Sequence, residues 1–186
     1  MKEEKIKVAP HIKNKHTDDL IDHYWGSINY IAEMIKAAEI KAGLILTFYG
    51  ILLNFIYAHL NDVIKYIGNE IGFYIISGLW LICIVISVYY SVRCFMPRIV
   101  DKYDKNIFFF GDVISSFGDI RQFSKTFFKV SLDEDELFGQ LGQQIYINSK
   151  IASEKFKNIN QSLRFLALSL ILMFTLMLYY ALIAFL

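Results

Sequence analysis

Three stretches of this chain carry no Asp, Glu, Lys or Arg: Ala42–Asn61 (20 residues), Ile71–Val92 (22) and Phe165–Leu186 (22). An α-helix rises about 1.5 Å per residue and a bilayer's hydrocarbon core is about 30 Å thick, so about 20 apolar residues span it. Each stretch is long enough. The third is apolar almost throughout and the second nearly so, whereas the first includes Thr47, Asn54 and His59. A soluble helix rarely stays uncharged over such a length, because its outer face must meet water. The fold class expected is therefore an all-α membrane protein with three transmembrane helices, over 42–61, 71–92 and 165–186.

Composition narrows the rest. The chain has 186 residues, 55% of them apolar, with 10 Gly, 2 Pro and 2 Cys. That excludes disorder, collagen and a disulfide scaffold. Nineteen basic residues against 18 acidic ones leave none of the basic excess of a nucleic-acid binder. Met1–Asp22 is polar and mixed in charge. It lacks the apolar core of a secretory signal, so the first span is expected to serve as the anchor. Lys36 and Lys41 precede the first span, Arg93, Arg98, Lys102 and Lys105 follow the second, and Lys155, Lys157 and Arg164 precede the third. The loop Asp62–Glu70 holds one base, Lys65. The positive-inside rule then puts the N-terminus and 93–164 in the cytoplasm, with the short loop and the C-terminus outside.

The first and third spans extend backwards into water. Leu20, Tyr24, Ile28, Ile31, Ile35, Ala38, Ala42 and Ile45 recur at helical spacing. So do Phe138, Leu141, Ile145, Asn148, Ala152, Phe156, Ile159, Leu163, Leu166 and Leu170, with Asn148 alone interrupting the stripe. No Pro or Gly cluster separates either stripe from its span. The reading is two long helices, Thr17–Leu60 and Asp133–Phe185, whose in-water halves (17–41 and 131–164) pair as a cytoplasmic helical bundle. Residues 1–16 read as a flexible tail and 97–130 as a connector with a short helix. Ser131 with Glu134 is the expected capping box of the last helix, and Thr17 before Asp18 and Asp19 a similar start for the first. Pro97 should end or kink the second span. The run Phe108–Phe110, closed by Gly111, precedes a helix expected over 112–129. It should pack under the bundle; a plug, a membrane-surface wedge or a partner patch are the alternatives.

Chemistry is scarce. No metalloprotease, P-loop, dinucleotide or nucleophile-elbow motif occurs. Asp112 and Asp119 have no partner base. His11, His16, His23, His59, Cys83 and Cys94 do not group as a metal site. No enzyme activity, catalytic residue, cofactor or metal is expected, nor a disulfide. Proton relays and ion-coupled transporters need ionisable groups at mid-membrane depth, and only His59, near a span end, is ionisable. Asn54 and Asn148 are the expected interhelical polar contacts, with a wet pore lining as the alternative for Asn54. Gly43, Gly50, Gly72 and Gly78 permit close helix approach. Seven bases (Arg93, Arg98, Lys102, Lys105, Arg121, Lys125, Lys129) face four acids (Asp101, Asp104, Asp112, Asp119) in and around the connector. They suit topology and anionic headgroups or, alternatively, an anion pocket that holds a phosphate.

Several pieces taken together resemble a known family. They are Ala37-Ala-Glu-Ile-Lys-Ala-Gly43 before the first span, Pro97-Arg98 after the second, Phe108-Phe-Phe-Gly-Asp112, and Gln143-Gln-Ile-Tyr-Ile-Asn-Ser-Lys-Ile-Ala152 with Lys155. In order and spacing, over about Leu20–Leu186, the chain resembles the Pycsar effector transmembrane family of antiphage membrane proteins. The resemblance implies a multi-pass effector of the bacterial inner membrane. It implies activation by cyclic CMP or cyclic UMP from a neighbouring cyclase, impairment of the lipid bilayer and abortive infection. A homo-oligomer is expected. Lys41, Arg98, Lys150 and Lys155 fall in or beside the matching motifs and are the candidate nucleotide contacts. The alternatives are an effector gated by another nucleotide signal, and a membrane anchor or adaptor for a cytoplasmic enzyme.

Overall fold

The computed structural model describes residues 15–67, 70–96 and 105–185. Five helices account for nearly all of them: α1 (Lys15–Ile67), α2 (Ile71–Phe95), α3 (Phe110–Ser115), α4 (Ile120–Leu132) and α5 (Glu134–Phe185). No strand occurs among the described residues. Three helices are long and apolar enough to cross a membrane, over Thr17–Leu60, Ile71–Phe95 and Glu134–Ile183. The chain is an all-α membrane protein.

α1 has 53 residues and α5 has 52, and neither is broken at Lys41 or Arg164, where polar sequence gives way to apolar. α1 also continues beyond the first charge gap to Ile67, so most of the expected loop Asp62–Glu70 is helical. The expected tail lies almost wholly outside the described residues, as do Pro97, Arg98 and Lys102. Two compact units form. One comprises Met1–Ile31 and Asp101–Asn148, the other Ala32–Val100 and Ser149–Leu186. α1 and α5 contribute to both.

The first unit is held by rings and one asparagine. Tyr24 packs on Phe138 with ring centroids 5.4 Å apart, and Phe108 sits between Trp25 (5.6 Å) and Phe127 (5.9 Å), edge-on to both. Such tilted and T-shaped pairs suit the ring quadrupoles. Asn106 is fully buried and its polar atoms are all engaged. Its amide Nδ2 donates to the Gln140 carbonyl (2.7 Å), its Oδ1 accepts from the Phe108 N–H (2.8 Å), and its own N–H donates to Asp112 Oδ2 (2.9 Å). Gln140 Oε1 accepts from the Ile107 N–H at 3.1 Å. Burial of an asparagine is tolerable only on these terms. The clasp seats Phe108 inward and leaves Phe110 81% exposed.

Two local expectations change. The helix expected over 112–129 is two helices, because Gly118 takes φ +76°, a left-handed conformation that an α-helix cannot contain. Asp119 then caps α4 by accepting from the Gln122 N–H at 2.8 Å. The capping box expected at Ser131 does not form, because α4 runs to Leu132 and the Ser131 hydroxyl donates to the Phe127 carbonyl within it. Asp133 takes the role instead, its Oδ1 accepting from the Glu136 N–H at 3.1 Å. Thr17 lies within the first turn of α1, and its hydroxyl donates to Glu134 Oε1 at 3.4 Å.

The second unit is a three-helix layer around Ala38, Ala42, Ile45 and Tyr49 of α1, Trp80, Ile84 and Cys94 of α2, and Ile159 of α5. Ala38 and Ala42 have no exposed surface at all, which sets how near the other helices come. Outward-facing positions are large and apolar: Leu44, Ile51, Phe55, Ile75, Val85, Ile171 and Leu178. Several inward ones are small and polar: Ser87, Ser91, Ser162 and Ser169. That inversion is what lipid as solvent selects. It also explains why the α5 stripe departs from its expected line: Ser162 is buried and Leu163 is 41% exposed.

A Gly118→Ala substitution would drive a Cβ into the Gln122 side-chain amide in a backbone conformation unsuited to it. It should cost about 1–2 kcal/mol. Gly139, helical in α5 with nothing within 4 Å of a built Cβ, should respond oppositely, Gly139→Ala gaining about 0.5–1 kcal/mol. Thermal midpoints of the detergent-solubilised chain should move in opposite directions.

Candidate functional site

Hydrocarbon supplies no hydrogen bonds, so a polar side chain inside a span is stabilised where protein offers it a partner. Three serines, two in the second span and one just before the third, are bonded reciprocally. Ser87 Oγ donates to the Ser162 carbonyl and Ser162 Oγ to the Ser87 carbonyl, each at 2.9 Å. A hydroxyl has one hydrogen, so the 2.7 Å contact between Ser91 Oγ and Ser162 Oγ has Ser91 as donor. Nearer the middle of the spans, Ser169 Oγ donates to Leu166 O, leaving the Tyr49 hydroxyl to donate to Ser169 Oγ at 3.1 Å. α5 is thereby bonded to α2 and to α1. Ser87 and Ser91 are four residues apart, Ser162 and Ser169 seven. Each pair lies on one helix face, the signal that could have announced the ladder.

A charged node lies beyond this ladder. Lys155 on α5 donates from Nζ to Glu39 Oε1 of α1 at 2.7 Å and to the Cys94 carbonyl of α2 at 2.6 Å. Cys94 Sγ in turn lies 3.8 Å from the Lys155 carbonyl. The Lys155 side chain is only 10% exposed, that of Glu39 38%. The Cys94 carbonyl is in the last turn of α2, whose final carbonyls lack intrahelical partners. An ammonium there supplies a hydrogen bond and complements the negative helix end. One cation thus ties three helices.

Of the candidate nucleotide contacts among the described residues, Lys155 alone is buried. Lys41 and Lys150 are exposed on the same unit, and Lys41 Nζ stands 6.0 Å from the centroid of the Phe156 ring. Arg98 lies outside the described residues. Asn148 accepts from Gln144 Nε2 at 3.1 Å, a bond along α5 itself. Gln144 is 7% exposed, and its Oε1 has no partner among the described residues. Asn54 is exposed on the outer side of α1. No metal-holding group of His, Cys, Asp and Glu occurs among the described residues.

A family model for the Pycsar effector protein domain matches residues 23–183. The chain belongs to the Pycsar effector family. It is 32% identical over 133 residues to a Pycsar effector protein of Staphylococcus aureus, SaPycTM, covering 72% of this chain and 78% of that one. It is 25% identical over 156 residues to PtPycTM of Propioniciclava tarda, also a Pycsar effector protein, covering 82% of this chain and 76% of that one. No solved structure matches. The effector is a membrane protein of antiviral defence, and the match runs across both compact units.

The node has an unequal response to its two partners. Glu39→Leu strands a buried ammonium and should cost about 2–4 kcal/mol. Lys155→Met leaves a carboxylate that water still reaches and one open carbonyl, and should cost about 1–2 kcal/mol. The double variant should be more stable than Glu39→Leu alone. Detergent unfolding curves of the four proteins check this, and equal costs for the two single variants would contradict it.

Proposed function

We propose that this effector senses a cyclic pyrimidine nucleotide, cyclic CMP or cyclic UMP, made by a partner cyclase, and responds by impairing the bacterial inner membrane so that the infected cell dies. Its N-terminus and residues 93–164 face the cytoplasm, where the nucleotide is made. It works as a ligand-gated membrane protein and not as a catalyst. The observation that carries the reading is Lys155, a single buried cation shared by all three apolar helices.

The cyclic phosphodiester is an anion, and Lys41, Arg98, Lys150 and Lys155 are its contacts. A phosphate that draws Lys155 from Glu39 and from the Cys94 carbonyl releases the bond holding α5 to α1 and α2. A ligand can shift such an equilibrium only by binding the released arrangement more tightly. The released ammonium would be costly without a partner, and the phosphate supplies one. Because α1 and α5 are unbroken helices, a repacking at the node changes how the spans meet. The spans then assemble with those of further copies. Asn54, an amide on the lipid-facing side of α1, gains a hydrogen-bond partner when a second chain covers it.

In cells carrying the effector and an inducible cyclase, the membrane potential should fall as the matching cyclic nucleotide accumulates. A steady potential sinks the proposal. Depolarisation with a cyclic oligonucleotide instead would reassign the signal, and a stable cytoplasmic enzyme partner with no toxicity under any nucleotide would favour an anchoring role. Lys41→Gln with Lys150→Gln should raise the nucleotide concentration needed by roughly tenfold, about what loss of one or two charge-assisted bonds gives. Asn54→Leu should weaken self-association, read by crosslinking in membranes, by roughly threefold to tenfold.

A further inference from the structure

The first compact unit leaves two helix faces uncovered, and their charges are opposite. On α4, Val130 is buried and Phe123 half-buried, so that side faces inward. At about 100° per residue, Arg121, Lys125, Phe128 and Leu132 lie on the other side. All four are exposed, Phe128 at 54% and Leu132 at 43%, and Lys129 is exposed beside Lys125. α4 contains no acid. On α1, Ile28 is buried and Ile21 and Tyr24 half-buried, and Asp19, Asp22, Gly26 and Tyr30 lie opposite them, all exposed. Gly26 has nothing within 4 Å of a built Cβ, so another helix can come close there. His23, exposed at the edge of this face, is neutral near pH 7. None of Asp19, Asp22, Arg121, Lys125 and Lys129 has a side-chain hydrogen bond or ion pair to a described residue.

The two faces also lie at matching levels within the unit. There α1 and α5 run side by side in the same direction, since Thr17 bonds Glu134 and Tyr24 packs on Phe138. α4 ends at Leu132, two residues before Glu134, which sets its last turn near the level of Thr17. Further back along α4, Phe127 packs on Phe108, and Phe108 on Trp25 of α1. α4 therefore runs counter to α1, with Lys129 and Lys125 at the level of Asp19 and Asp22. The bases are four residues apart and the acids three, so each set falls on adjacent turns.

We propose that these two faces dock on one another between neighbouring copies of this chain. Arg121, Lys125 and Lys129 of one copy meet Asp19 and Asp22 of the next, and Phe128 and Leu132 are covered by the α1 surface around Gly26. Copies inserted the same way in one membrane present equal levels to one another, and their confinement raises the effective concentration of the contact. Opposite charges aligned in this way favour one register over others. Because the two faces differ, the contact is head-to-tail, and each copy gives one face and receives the other. An unrelated acidic partner would satisfy the bases of α4 but leave Asp19 and Asp22 without cations; a second copy answers both. The inference needs only the spans and the first unit, and it stands whatever signal activates the effector.

The test uses two differently tagged full-length chains in membrane vesicles, with no nucleotide added. One carries Asp22→Cys and the other Lys125→Cys. Mild oxidation should join them in mixed-tag disulfides at a yield roughly threefold or more above that of either variant paired with itself, and of the parent, whose Cys83 and Cys94 set the background. High salt before oxidation should lower the yield, a reading that needs no further substitution. Lys129→Glu on the Lys125→Cys chain should lower it by roughly threefold, and Asp19→Lys on the Asp22→Cys chain should then restore it. Circular dichroism confirms that each variant keeps its helicity. A yield no higher than background overturns the proposal. So does a loss with Lys129→Glu that Asp19→Lys fails to restore, which would assign the bases to lipid, or a disulfide that forms only with added cytosolic protein.

Discussion

The governing constraint is that hydrocarbon offers no hydrogen bonds. A backbone crossing it must satisfy its own N–H and C=O groups, which leaves helices for a chain with stretches of this kind. The same constraint acts on side chains. Since lipid is as apolar as leucine, the three apolar helices gain nothing by hiding Leu, Ile and Phe from it, and they turn many of these outward. What holds them together is small surface and hydrogen bonding: Ala38 and Ala42 without exposed area, the Ser87–Ser91–Ser162 ladder, and Tyr49 on Ser169.

Lys155 is the exception in this packing, a charge among neutral contacts. A cation in such a place must be held, and Glu39 and the end of α2 hold it at 2.7 Å and 2.6 Å. A buried ion pair is weak as a source of stability, because desolvation offsets attraction. It is sensitive to its surroundings for the same reason. The serine ladder binds neutral groups that no incoming anion would disturb, whereas the node binds a charge that an anion could compete for. On the proposed reading, stability and response fall to different residues along α5.

The first unit is packed differently. Its aromatic rings interlock, a fully satisfied asparagine clasps the connector to α5, and a single left-handed glycine divides what would otherwise be one helix. Its helix ends illustrate how local signals compete. Ser131 followed by Glu134 has the form of a capping box, yet Asp133 caps α5, because α4 extends through Ser131 and uses its hydroxyl internally. Two caps were written within three residues, and only the length of the preceding helix chose between them.

Spans, helical class and family were legible in the order of residues, because charge gaps of 20 and 22 residues and stripes of helical period are local properties that lipid and water read directly. The sequence also marked Lys155, though as one of four equivalent bases. Only the tertiary structure distinguished them: it buried Lys155 between Glu39 and Cys94, left Lys41 and Lys150 exposed, and turned Asn54 outward and Asn148 along its own helix. A one-dimensional pattern says which residues share a face, but the partner across that face comes from another helix, more than a hundred residues away in the case of Glu39 and Lys155. In a membrane the apolar face carries little information about direction, since leucine is at home on either side. The rotation of each helix was therefore decided by where its few polar groups could find one another.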